Sequence, residues 1–168
     1  MSNSKQLKRF VLLAMLVAIG VVISPILRFH GFAPTQHFIN VVCSVLLGPW
    51  YSLGCALMIG LIRMSLMGIS PLALTGAIFG AFLSGVLYKR HKTLISACIG
   101  EVIGTGIIGS MVSFPVMKFL VGDSRVALFT FTPSFVIATV IGSAVAYALL
   151  KTLIRNGTLA QMQESLND

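Results

Sequence analysis

The chain has 168 residues, 57% hydrophobic and 10% charged, with a formal net charge of +8 and a mean hydropathy of +0.98. Soluble domains are usually about 25% charged, so an ordinary soluble domain is excluded. The apolar stretches are long and continuous without period-two alternation, which selects membrane-spanning helices of about 20 residues over a β-barrel. The basic residues sit in short clusters at segment ends, not on a face interleaved with aromatics, so the charge carries topology information and gives no support to nucleic-acid binding.

The first apolar segment, residues 10–27, follows Lys5, Lys8 and Arg9. This start resembles a signal peptide, but the run exceeds the usual apolar region of 7 to 15 residues and no clear small-residue cleavage site follows, so a retained membrane helix is expected. The second segment, residues 35–47, is short, and Gly48-Pro49 either ends it or kinks one long helix through to Met67. The third to sixth segments cover residues 50–67, 71–88, 94–121 and 129–154. The count is therefore six or five. Cytoplasmic loops carry the excess of Lys and Arg. Six spans put Lys5, Lys8, Arg9, Lys89, Arg90, Lys92, Lys151 and Arg155 inside and leave Arg28, Arg63, Lys118 and Arg125 outward; five would put Lys89-Arg90-His91-Lys92 outside. The expectation is one all-α membrane domain over residues 1–168, a six-helix bundle with both termini cytoplasmic, and a polar tail from Asn156 that is a short, poorly ordered end or a surface helix.

Familiar catalytic patterns are missing or misplaced. Gly104-Thr-Gly106-Ile-Ile-Gly109 is a literal GxGxxG, but it lies inside an apolar helix-length segment rather than after a strand, so it does not indicate dinucleotide binding. Without a GxxxxGK[ST] sequence the chain has no P-loop, and any ATP-driven work requires another subunit. His30, His37 and His91 are dispersed, and Cys43, Cys55 and Cys98 are buried in apolar runs without paired spacing, so no metal or other cofactor is expected on this chain. Small residues recur every four positions, as in Gly76, Gly80 and Ser84, or Gly100 and Gly104; such ridges let helices pack closely in lipid.

Polar groups inside spans are costly and face the interior or a cavity. At 1.5 Å per residue, Arg63 lies in the outer third of the third span, and His37, Asn40, Thr75 and Ser134 fall within about 10 Å of the outer surface. Gln36, His37 and Asn40 can share one face of the second helix. This layer suits either a cavity that orients a small polar ligand or plain interhelical hydrogen bonding. Glu101 is the one acidic residue within a span, with Thr105 a turn above it, about 10 Å from the inner face. A ligand contact at the cavity base or a pair with Arg63 are its two readings; a proton relay would need a chain of partners that the sequence does not supply. Trp50 and Tyr51 fit an interfacial anchor, while Phe131 and Phe135 could stack on a ring-shaped ligand or meet lipid.

Three stretches carry a family resemblance: Pro34-Thr-Gln-His-Phe-Ile-Asn-Val41, Val45-Leu-Leu-Gly-Pro-Trp-Tyr51, and Gly100-Glu-Val-Ile-Gly-Thr-Gly-Ile-Ile-Gly109. Together they resemble the ThiW family, substrate-binding S components of energy-coupling factor transporters associated with the thiazole precursor of thiamin. The resemblance implies a six-helix bundle binding hydroxyethylthiazole near its outer side in a prokaryotic cell membrane. It also implies a transmembrane coupling protein and two cytoplasmic ATPase subunits that use the ATP. Ala14 and Ala18 stand where the family's AxxxA contact with the coupling protein is expected. Gln36, His37, Asn40, Arg63, Thr75, Glu101, Thr105 and Ser134 are the substrate-binding candidates, with no catalytic residue. An S component for another metabolite, a purely structural subunit, and an intramembrane enzyme using Glu101 with a histidine are the alternatives; the depth gap between Glu101 and His37 argues against the last.

Overall fold

The protein is described by a computed structural model for residues 2–26 and 34–167, the first two of these through their backbone alone. Arg28 and His30 lie outside the described residues. Among the described residues the chain forms seven helices and no strand: α1 (Ser2–Ile26), α2 (Pro34–Leu47), α3 (Pro49–Met67), α4 (Leu72–His91), α5 (Leu94–Leu120), α6 (Thr132–Arg155) and α7 (Thr158–Asn167). Five of them, α1 and α3 to α6, are long and apolar enough to cross a membrane. The exception before the tail is α2, whose 14 residues reach only about 21 Å.

Gly48 resolves the choice between a kink and a break. Its φ of +87° with ψ of −178° is backbone that essentially only glycine adopts. Pro49 then opens α3, where its missing N–H costs nothing. The chain therefore reverses, and α2 becomes a separate element.

Being short and polar on one side, α2 is stable in this setting only if other helices surround it. Ten of its 14 residues are buried, and it packs against α1, α3, α4, α5 and α6. By contrast α1 lies at the edge, on α2 and α3, with Phe10, Val11, Met15 and Val22 exposed. Large apolar side chains are also exposed on α5 (Ile95, Ile99) and α6 (Ile137, Ile141), a surface of the kind that lipid covers. Ala14 and Ala18 lie on the exposed side of α1.

The four-residue ridges pack helices within the bundle. A Cβ on Gly104 would stand 2.6 Å from the Cα of Gly80, and one on Gly100 2.6 Å from the Cα of Ser84, so α4 and α5 meet backbone to backbone. In α5, π-helical turns run through Val102–Gly109 and again through Val116–Leu120, and the first begins directly after Glu101. Such wide turns are frequent at functional positions in helices.

The tail is a surface helix. Its Leu159 and Leu166 are buried, and it is tied to the start of α1 by Lys8 Nζ donating to the Ser165 carbonyl at 3.0 Å and Arg9 Nε donating to that of Leu166 at 3.0 Å. One cleft is lined by Arg9, Gly48, Tyr88, Lys89, Lys92 and Gln163, so the start of α1, the α2–α3 corner, the end of α4 and α7 share a basic end. At the loop before α6, Arg125 Nε bonds Asp123 Oδ1 at 3.2 Å, which holds the Asp123 carboxyl below its ordinary value and partly offsets that cation.

The close crossing makes a signed prediction. Gly104→Ala should lower the melting temperature in detergent, by an overpacking cost of about 1–3 kcal/mol. Gly54→Ala, whose Cβ meets nothing within 4 Å, should raise it, by about 0.5–1 kcal/mol of helix stability.

Candidate functional site

At the end of the bundle opposite the basic one, α2, α3, α4 and α6 enclose a cavity of about 180 Å³. The first turn of α2 contributes Gln36 and His37, α3 contributes Arg63, and the start of α6 contributes Ser134 and Phe135, with Phe131 just before it. Ser70, Ala73 and Gly76, around the start of α4, complete one wall. The two phenylalanine rings stand 6.2 Å apart. Gly76 makes room for one of them: a Cβ there would lie 2.8 Å from Cε2 of Phe135.

Beneath His37 lies the carboxylate of Glu101, with no exposed surface. Its Oε1 is 2.8 Å from His37 Nδ1, and it accepts from Asn40 Nδ2 at 3.1 Å and Thr105 Oγ1 at 3.1 Å. Hydrogen bonds to a charged acceptor are the strong kind. A carboxylate accepting from Nδ1 fixes the imidazole ring and leaves Nε2 as its remaining polar atom for the cavity. Asn40 is itself held: Nδ2 also donates to the Ala77 carbonyl at 3.1 Å, and Oδ1 accepts from Gln36 Nε2 at 3.3 Å. Below it Ser52 Oγ donates to the Asn40 carbonyl at 3.0 Å, and Ser44 Oγ to that of Ala81 at 3.0 Å.

Glycine makes this packing possible at two places. Oε2 of Glu101 packs beside Gly80, where a Cβ would lie 2.7 Å from it. A Cβ on Gly142 would stand 2.8 Å from the His37 Cβ and would strike the Pro34 carbonyl, so α6 admits the start of α2 only because that side chain is absent.

The depth gap expected between Glu101 and His37 is not there. That expectation counts His37 from the outer end of a full-length span, but α2 is short. Counted from its other end, at Leu47, His37 lies about 15 Å along α2 and Glu101 about 10 Å along α5, a difference that the two side chains bridge. The distance argument against an acid–base pair therefore falls.

The structure sorts the eight candidates into groups. Gln36, His37, Arg63 and Ser134 line the cavity; Arg63 is buried at 3% exposure. Asn40, Glu101 and Thr105 form the layer behind His37. Thr75 is elsewhere, its hydroxyl 2.6 Å from Ser113 Oγ. Sequence reasoning treated Gly80 only as a packing residue; its spacing showed a smooth face but not what pressed on it.

A family model described as thiamine-precursor transporter protein, ThiW, matches residues 10–156. The chain belongs to the ThiW family. That match runs from α1 to the end of α6 and makes the chain a multi-pass membrane protein of a transporter family, in line with an expectation of no covalent chemistry. No curated protein and no solved structure matches it significantly.

A double-mutant cycle checks the buried cluster. His37→Ala and Glu101→Ala should each destabilise the fold, and their coupling energy, read from unfolding in detergent, should be on the order of 1–3 kcal/mol. Additive effects would mean that the pair contributes nothing as a pair.

Proposed function

We propose that this chain is the S component of an energy-coupling factor importer and captures hydroxyethylthiazole in the cavity around His37. The observation that carries the reading is that one cavity is lined both by two phenylalanine rings and by an imidazole oriented by a buried carboxylate. A flat, neutral ring with one nitrogen and a hydroxyl needs apolar walls and a few directed polar groups. At about 180 Å³ the cavity is smaller than the roughly 300–1,000 Å³ typical of drug-sized ligands, which favours a single small ring. His37 Nε2, Arg63 and Gln36 are the directed groups, and Ser134 is a further hydroxyl at the rim.

In this reading α2 completes six crossings, its missing length made up by the cavity above it. The basic end, with Lys5, Lys8, Arg9, Lys89, Arg90 and Lys92, faces the cytoplasm of a prokaryotic cell by the excess of Lys and Arg. The cavity then opens outward. With no P-loop in its sequence, the chain depends on a coupling protein and two ATPase subunits for energy. Ala14 and Ala18, exposed on α1, give the coupling protein a flat strip on which to pack. Asn40, Glu101 and Thr105 act by holding His37, and Thr75 takes no part in ligand binding.

Calorimetric titration of the purified protein tests this. Hydroxyethylthiazole should bind selectively over thiamin and the pyrimidine precursor. His37→Ala should weaken it about 10-fold or more, the equivalent of one good hydrogen bond. Thr75→Val should leave affinity within about two-fold, since its hydroxyl faces Ser113. Unchanged binding in the His37 variant, or selective binding of none of these compounds, would overturn the assignment.

A further inference from the structure

The basic end has a feature that orientation alone does not require. Three of its cations, Arg9, Lys89 and Lys92, line one cleft of about 490 Å³, with no acidic side chain among the lining residues. They come from α1 and from the end of α4, and two of them are held in place. Arg9 is anchored by α7, donating from Nε to the Leu166 carbonyl and from Nη2 to Asn167 Oδ1 at 2.7 Å, which leaves the rest of its guanidinium donors for the cleft.

Lys92 is the only non-glycine residue with positive φ among the described residues, at +56°. It closes α4, its N–H donating to the Tyr88 carbonyl at 2.7 Å. Glycine adopts this capping conformation freely, whereas a side chain adopts it at a cost. A lysine here therefore places a charge at the cleft at some expense to the helix end. Its Nζ stands 5.9 Å from the centre of the Tyr88 ring.

A second hollow adjoins the first. Pro49, Trp50 and Lys89 line both, and the second continues along α4 past Phe82 and Val86. Trp50 is 72% exposed, and its ring lies 5.1 Å from that of Phe82. Aromatic side chains of this kind sit at the level of lipid headgroups. A free phosphate ion would occupy the cleft and leave the groove empty; a zwitterionic headgroup would bring its own ammonium against three cations. An anionic headgroup with an attached acyl chain fits both parts.

We propose that the basic cleft and the adjoining Trp50–Phe82 groove bind one anionic phospholipid, its phosphate among Arg9, Lys89 and Lys92 and an acyl chain along Phe82 and Val86. Basic pockets between membrane helices are known to bind such headgroups. The assignment is independent of which ligand occupies the cavity at the other end.

The test uses the full chain in neutral detergent, with bound lipid counted by native mass spectrometry and stability followed by thermal unfolding. Phosphatidylglycerol should bind saturably, one molecule per chain, and raise the melting temperature; phosphatidylcholine and inorganic phosphate should not. The double variant Lys89→Gln/Lys92→Gly should melt no lower than the parent in lipid-free detergent, because glycine relieves the left-handed cap. Its affinity for phosphatidylglycerol should fall on the order of 30-fold, about five-fold per charge removed. Lys151→Gln/Arg155→Gln, which removes as much charge from the end of α6, should keep the affinity. An equal melting shift with inorganic phosphate would assign the cleft to a free anion and overturn the lipid. Equal losses in the two double variants would mean diffuse surface charge, and no saturable lipid binding would overturn the proposal outright.

Discussion

A carboxylate with no access to water is expensive unless its oxygens are met by donors. Glu101 meets that requirement at one oxygen: Oε1 draws His37 and Asn40 from α2 and Thr105 from its own helix, while Oε2 packs beside Gly80 with no hydrogen-bond partner among the described residues. The requirement ties the first half of the bundle to the second. It also explains why α2 is short and central: a helix at the edge could not present a histidine and an asparagine to the same oxygen while keeping its other side apolar against α1 and α3. These hydrogen bonds are directional, so the imidazole plane is set by the fold before any ligand arrives.

Close backbone packing follows from the same requirement. Glu101 and Thr105 can lie under α4 only where α4 has no side chain, which is at Gly80, and the crossing continues through Gly104 and through Gly100 against Ser84. In lipid there is little hydrophobic force between helices, so contact of this kind supplies much of the association. The glycines thus combine two demands: they let helices approach, and they leave space for the polar side chains buried between them. The π-helical turns after Glu101 widen α5 over the same stretch, where three of six residues from Gly104 to Gly109 are glycines pressed against α4 and α6.

The two ends of the bundle have opposite chemistry. One gathers a histidine, an arginine and two phenylalanines round a small cavity. The other gathers cations, an exposed tryptophan and the strap of α7. For the transport role proposed above, such a division suits a protein that meets a small solute on one side and a membrane interface with partner subunits on the other. Because α7 is fastened to the start of α1, the helix that carries Ala14 and Ala18, any tilt of α1 is felt at the basic cleft as well.

By itself the sequence determined that this is an all-helical membrane chain, roughly where each long span lies, and that its ionisable groups within spans, Arg63 and Glu101, lie inside the bundle, because in lipid those facts follow from hydropathy, length and charge at each position. The three motif stretches also identified the family. What it could not determine was who meets whom. Depths counted along separate helices left Glu101 and His37 apart and put Thr75 with the cavity, since counting assumes that every span begins at the surface. The tertiary structure decided otherwise for a physical reason: α2 is too short to reach both faces, so it sits deep in the bundle, and the glycines of α4, α5 and α6 let its histidine reach the carboxylate while Thr75 turns to Ser113.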